Sequence, residues 1–516
     1  MSPSIKGRAV TSRALIGAAS LLLVATSSSA ESFGRPGHQL GFVRTGPSSS
    51  DTPYIIPHAR GVDVKSLLTV GDSVDGYRMV GIPDGLGVYR SPDDTFTVLM
   101  HHELEPEEGG PHAHAPSGAF ISKWRIRRSD HTVISGGDLI EAVATYDPLV
   151  GDYDPAAYGV LLGRLCSADL PRRSAFYDHS SGLGFDGRIF LGGEEVGAEG
   201  RAFGTVVSGA GEGIAYELPY LGKFSWENSV AHPDTGDRTV VIGLDDSTPG
   251  QVYVYTGDKS STGNAIEQAG LSDGSLYGIS IDGVALEDRA AGIGGPSRPF
   301  SLAPLGDVSQ LTGAELETAS DAAGVTEFLR PEDGAWDPSN PNDFYFVTTD
   351  RFNTVKRPGE APTVNTPAAQ EGASRLWRLS FNDSAQPELG GTMTELLDGS
   401  TGQDRHQMFD NMTVDRDGRV ILQEDPGGQP TLARVWRYDI ASGELRLMAR
   451  FDRNRFGNDG GELPVAPFTF DEESSGIIDA SRAVGPGWFL LNAQTHYPHP
   501  DPTLVEGGQL LLMRIP

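Results

Sequence analysis

Six stretches of the chain share one pattern of apolar and polar positions. Each has a turn, a few apolar or β-branched residues, and then a polar or acidic end. They are residues 95–100, ending in His101-His102-Glu103; 188–191, ending in Glu194-Glu195; and 238–244, ending in Asp245-Asp246. The others are 344–347, ending near Asp350; 419–422, ending in Glu424-Asp425; and 488–491, ending in Asn492 and His496. A second set lies downstream at 120–126, 213–218, 251–255, 374–379, 433–438 and 509–515. Most of these alternate apolar and polar residues, the period-two signature of half-buried strands. Trp124, Tyr216, Tyr253, Trp377 and Trp436 fall at similar places in them. A third set, upstream, opens with an acid in five units: Asp84, Glu227, Glu332, Asp410 and Glu473. The sixth unit has Ser181-Gly-Leu-Gly-Phe185 in that place and carries no acid at its head. Fourth strands are expected at 139–143, 276–281, 393–396 and 445–451.

Six in-phase units of roughly four strands each predict an all-β fold, a six-bladed β-propeller. Two β-sandwiches would be the rival, but they do not require six copies of one pattern. Strands around 53–56, 64–70 and 78–80 precede the first unit and are expected to finish the last blade and close the ring. The segments 105–118, 146–173, 261–275, 282–328 and 351–373 read as irregular inserts, with a short helix at 313–323 capped by Thr312.

Composition agrees: Gly 66 and Pro 35 in 516 residues suit a turn-rich architecture. Lys6, Arg8 and Arg13 precede an apolar run at 15–24 and the small residues Ser28-Ser29-Ala30. That order predicts a secretion signal over 1–30, without a twin-arginine pair, and a single propeller domain over 31–516. No run is long enough to span a bilayer, and the signal segment makes a periplasmic or extracellular protein the expectation. The formal charge of −30 argues against nucleic acid or an anionic membrane surface as partner. Cys166 is the single cysteine, so no internal disulfide is available; it reads as a buried, inert thiol.

Innermost strands of a propeller run along its channel, so residues at their equivalent ends converge. Asp84, Glu227, Glu332, Asp410 and Glu473 occupy that place, joined by the second-strand ends Glu103, Glu194, Glu195, Asp245, Asp246, Glu424 and Asp425. So many like charges in a low-dielectric channel require cations among them. Several carboxylate oxygens are what hard ions such as Ca²⁺ prefer. Arg330 shares a strand face with Glu332 and offers a guanidinium for an anionic substrate; simple neutralisation of Glu332 is the alternative. His101, His102, His112 and His114, with His496 and His499, could hold a transition metal, although loop histidines are more often solvated.

Arg330-Pro-Glu332, Leu191-Gly-Gly-Glu194-Glu195, His102-Glu103 and Asn492-Ala-Gln-Thr-His496, in this order, resemble the PhoX-type alkaline phosphatases over most of residues 40–516. The resemblance implies an exported, monomeric six-bladed propeller that hydrolyses phosphate monoesters with calcium, several ions, and Fe³⁺. It also implies Glu332, Glu194 and Glu227 as metal ligands and Arg330 as a phosphate contact, with Arg330, Glu332 and Glu194 as the catalytic group. The family pattern as read here places an iron-ligand Cys directly before the Glu-Glu pair, where this chain has Gly193. A thiolate-free hub favours calcium over ferric iron. A calcium-dependent lactonase or esterase using Asn228 and Asn411, or a non-catalytic calcium-stabilised binding propeller, would need fewer of these acids.

Overall fold

The second strand of each unit is buried on both faces, which is why it reads as a continuous apolar run rather than an alternating one. Thr95–His102, Arg238–Asp245, Asp343–Thr348 and Arg419–Glu424 are buried throughout or nearly so. Third strands such as Phe120–Arg127 keep one face partly exposed and alternate accordingly. A computed structural model describes residues 41–288, 291–350, 374–399, 406–427, 432–457 and 462–516. The expected signal segment 1–30 and the insert at 351–373 lie outside the described residues.

The strands form six blades. Their inner strands are Pro83–Arg90, Leu165–Asp169, Trp226–Ala231, Pro331–Trp336, Phe409–Val414 and Glu472–Asp479. Each inner strand touches the next, and the sixth touches the first, so the ring is closed. Large apolar side chains fill the space between blades, among them Trp124, Trp226 and Trp377, all fully buried. The described part is therefore an all-β propeller, one compact unit. None of its helices is long and apolar enough to cross a membrane.

Closure departs from expectation in detail. Asp63–Thr69 pairs antiparallel with the C-terminal strand Glu506–Arg514, so the last blade is built from both chain ends. Ile55–Pro57 instead extends the fifth blade by pairing with Leu445–Phe451, and Tyr77–Arg78 forms a small hairpin with Ser73–Val74. Both arrangements cover sheet edges that would otherwise invite pairing with another chain.

The second blade departs furthest. Its inner strand is Leu165–Asp169, inside the supposed insert 146–173, and not the stretch beginning at Ser181. Its third strand is Ala202–Ser208; Ile214–Glu217 comes fourth, and Ala142–Ala144 runs parallel to it at the edge. The fourth strand of the first blade is Val133–Asp138, earlier than expected. Within 282–328, Ser297–Gly306 bridges the outer edges of blades three and four. The helix Gly313–Ala323 forms as expected, with Thr312 and Glu315 closing a capping box.

Candidate metal centre in the channel

The hub position is the second residue of every inner strand: Asp84, Cys166, Glu227, Glu332, Asp410 and Glu473. A register break follows in each strand, between Pro83 and Leu86 in the first blade and between Leu165 and Ala168 in the second. Such bulges bend the strand and re-aim the side chains beside them. In four blades the residue two positions earlier has positive φ: Ile82 at 47°, Arg164 at 28°, Arg330 at 60° and Met408 at 52°. Conformations this rare for residues with side chains cluster at functional sites.

The acidic pairs at the second-strand ends divide by strand alternation. Glu103, Glu195, Asp246 and Asp425 line a cavity of about 550 Å³ together with Cys166, Glu227, Asp410 and Glu473. Their neighbours turn into the blades. Glu194 is gripped by Arg201 at 2.7 and 2.8 Å and accepts the Gly163 N–H at 3.0 Å. Asp245 accepts the Ser247 hydroxyl, and Glu424 binds Arg434 and the Trp436 indole N–H. The expectation that Glu194 is a metal ligand and catalytic group is therefore corrected. Its oxygens are already engaged, and Glu195 takes the cavity face.

Cys166 requires the larger correction. Its thiol donates to Glu227 at 2.9 Å and to Asp84 at 3.2 Å, so it stands in the hub rather than in an inert core. Gly193 cannot stand in for it: a Cβ there would lie 2.3 Å from the Trp226 Cβ. Gly193→Cys is expected to cost about 1–3 kcal/mol by overpacking, read as a lowered Tm without any gain in bound metal. An unchanged Tm would show that the site has room for a thiol.

In the hub, three groups bring metal-type donors within 4.8 Å of one another: Asp84, Glu103 and Cys166; Cys166, Glu195 and Glu227; Glu227, Glu332 and Asp410. The first two mix sulfur with oxygen, and the third is oxygen only. Burial, then the neighbouring acids, push the Asp84, Glu227 and Asp410 carboxyls well above their usual range. Burial raises Glu332 too, although Arg330 opposes it. Burial also raises Asp246, but Arg330 outweighs it and leaves that carboxyl below its ordinary value. Buried Asp84 Oδ1 and Glu332 Oε2 have no hydrogen-bond partner among the described residues. Orphaned buried carboxylate oxygens of this kind suit a cation.

Cations of the protein itself also line the cavity: Arg164, Arg330 and His496. Arg330 is bidentate to Asp246 at 2.5 and 2.6 Å and lies 3.1 Å from Glu332. Arg164 bridges Glu103, at 2.5 Å, and Glu195. His496 sits between Glu473 and Glu506, which outweigh burial and hold its ring well above the ordinary histidine value. Beneath the hub, Asn411 donates to Asp410 and Ser167, and Asn228 donates to Asp333. These amides tie inner strands together and do not line the cavity.

His101 and His102 are buried in the first blade, His101 against the Cys166 carbonyl and His102 between the Gly81 carbonyl and the Ser122 hydroxyl. His112 and His102 both stack on Phe120, and His114 is buried. His499 caps its own turn at Asp501. None of these belongs to a group of three close donors among the described residues. Cys166 and Arg164 were missed because the loop 170–187 separates their strand from its partner. The visible signal was Arg164-Leu-Cys166, spaced as Arg330-Pro-Glu332 is.

The fold and cavity define a β-propeller with a polyacidic, cation-ready channel. Residues 212–459, just under half of the chain, match the family described as Alkaline phosphatase PhoX. Among solved structures, Pseudomonas fluorescens PhoX in complex with vanadate, a transition state analogue, aligns with a TM-score of 0.60 and 13% identity. The alignment covers 92% of this chain and 98% of that one. A putative 6-phosphogluconolactonase from Bacteroides uniformis ATCC 8492 reaches a TM-score of only 0.31 at 10% identity, over 80% of this chain and 95% of its own. No curated protein matches the chain. The chain is thus PhoX-like, by family pattern through its middle and by fold over nearly all its length.

Proposed function

We propose that this protein is an exported phosphatase of the PhoX type that hydrolyses small phosphate monoesters in the acidic cavity. The observation that carries the reading is the convergence of Asp84, Cys166, Glu227, Glu332, Asp410 and Glu473 beside Arg330. An acidic channel repels a phosphate dianion unless cations outweigh its carboxylates. Glu227, Glu332 and Asp410 would hold calcium, an oxygen-preferring ion. The trios containing Cys166 offer the softer, mixed donor set that suits iron. Bound cations would supply Lewis-acid stabilisation of the phosphoryl charge.

The chain's own contribution is placement. Arg330, locked by Asp246, presents its guanidinium to a non-bridging phosphoryl oxygen. Thr349 donates to Glu332 at 2.6 Å and holds that carboxylate toward the hub. Arg164 and His496 add positive charge at the cavity wall, favouring the entry of an anion.

Purified without chelators, the protein is expected to hydrolyse p-nitrophenyl phosphate. Chelation should abolish the activity, and calcium, with iron if needed, should restore it. Absence of turnover under every metal condition rejects the reading. Lactone turnover in its place would select the esterase alternative, and calcium-raised Tm without any hydrolysis the binding propeller.

A further inference from the structure

The channel has a second mouth. The later residues of the inner strands wall a separate cavity of about 670 Å³, whose floor includes Ser167, Asn228 and Asp333. In a chain of charge −30 its rim is basic: Arg90, Arg172, Arg173, Arg188 and Arg482 line it, with His179. Arg173 faces Asp186 at 3.5 Å, and Arg188 lies over the Tyr89 ring at 5.1 Å. Arg90, Arg172 and Arg482 form no ion pair among the described residues, and all three are exposed.

The guanidiniums stand close enough to act on one another. Burial and Arg173 hold Arg188 below its ordinary value, and burial, Arg172 and Arg416 do the same to Arg482. Few negative charges answer them. Asp479 attracts Arg482 while accepting the Ser481 N–H at 2.8 Å. Asp169 and Asp333 lie deeper, each pushed up to about 7 by burial, and both are engaged by backbone N–H groups. Like charges gathered on one rim are unfavourable until an anion joins them. Guanidinium forks fit phosphate oxygens in bidentate fashion, which ammonium groups do not. The volume falls in the range of small-molecule sites. Five guanidiniums spread around it exceed what one phosphate group can engage.

We propose that this mouth binds a small oligophosphate, a linear chain of phosphate groups, at a site distinct from the acidic cavity and independent of the activity proposed there. Titration calorimetry of the metal-loaded protein with tripolyphosphate tests it, with orthophosphate run alongside. Tripolyphosphate is expected to bind at one site per chain besides the acidic cavity, and binding there should weaken as salt rises. The double variant Arg172→Gln/Arg482→Gln should bind about tenfold more weakly or worse. Both arginines are exposed, so its Tm should match the parent's. Chelation of hub cations would contribute equally to parent and variant and cancel in the comparison. Placed in the Glu332→Gln background, the double variant should show the same drop in affinity, because the arginines lie in the other cavity. Equal binding by the double variant, loss of the arginine effect in the Glu332→Gln background, or an equal loss of orthophosphate binding in the double variant would each overturn the assignment.

Discussion

Replacing Arg330 with Ala should lower kcat for phosphate monoesters by about 100-fold or more, the usual loss when one preorganised donor to transition-state charge is removed. Asp246 grips the Nε–Nη2 edge of that guanidinium, and Glu332 lies 3.1 Å away, so the group is held in place before substrate arrives. Interactions that strengthen as charge develops act on kcat, whereas uniform binding acts on KM. Arg330→Lys keeps the charge but loses the planar fork, so it should recover only part of the rate. Metal content should not fall in Arg330→Ala, because removing a cation leaves Asp246 and Glu332 more available to ions, nor in Arg330→Lys, which keeps the charge. Were Arg330 only a neutraliser of its two acids, kcat would stay near the parent value once metal is saturating. Steady-state kinetics with matched metal analysis separates the two cases.

Glu227→Gln should be the most damaging of the hub substitutions. Glu227 belongs to one of the two sulfur-containing trios and to the oxygen-only one, so removing its charge weakens two cation positions together. Second-sphere changes alone cost roughly 10–100-fold in affinity or activity; loss of a shared ligand should exceed that. Mass spectrometry of the metals should show at least one ion fewer per chain, and activity should fall in step. Full metal content with full activity would remove Glu227 from the site.

The same carboxyls give the metal-free protein a characteristic pH response. Burial and neighbouring acids hold Asp84, Glu227 and Asp410 above their ordinary range, and Asp425 is raised to about 8 by burial and Glu473. The folded state therefore binds more protons than the unfolded one. Its stability is full below the unfolded carboxyl value, near ~4, and is lost as pH rises through the folded values. The parent's Tm without metal should drop between about pH 5 and pH 8, and saturating calcium should flatten the slope by displacing those protons. Glu227→Gln removes one of the groups responsible, so its metal-free slope should be shallower. A metal-free Tm that rises over this interval would contradict the protonated hub.

Much was legible in the sequence itself. Strand identity follows from local patterning, so five hub acids, from Asp84 to Glu473, could be read as equivalent because each opens a unit of the same grammar. The capped helix at Gly313–Ala323 was legible for the same reason, since Thr312 and Glu315 lie within one turn of each other. Two things were left to the tertiary structure. The first is which member of each acidic pair faces the channel: Glu194 and Glu195 alternate, and only the Arg201 side chain, brought across from the neighbouring strand, shows that Glu194 belongs to the blade. The second is Cys166. Its strand is separated from its sheet partner by residues 170–187, and no local period spans such a gap. Closing the ring sets that strand beside Asp84 and Glu227, because six inner strands around one axis leave each hub side chain no other direction to point.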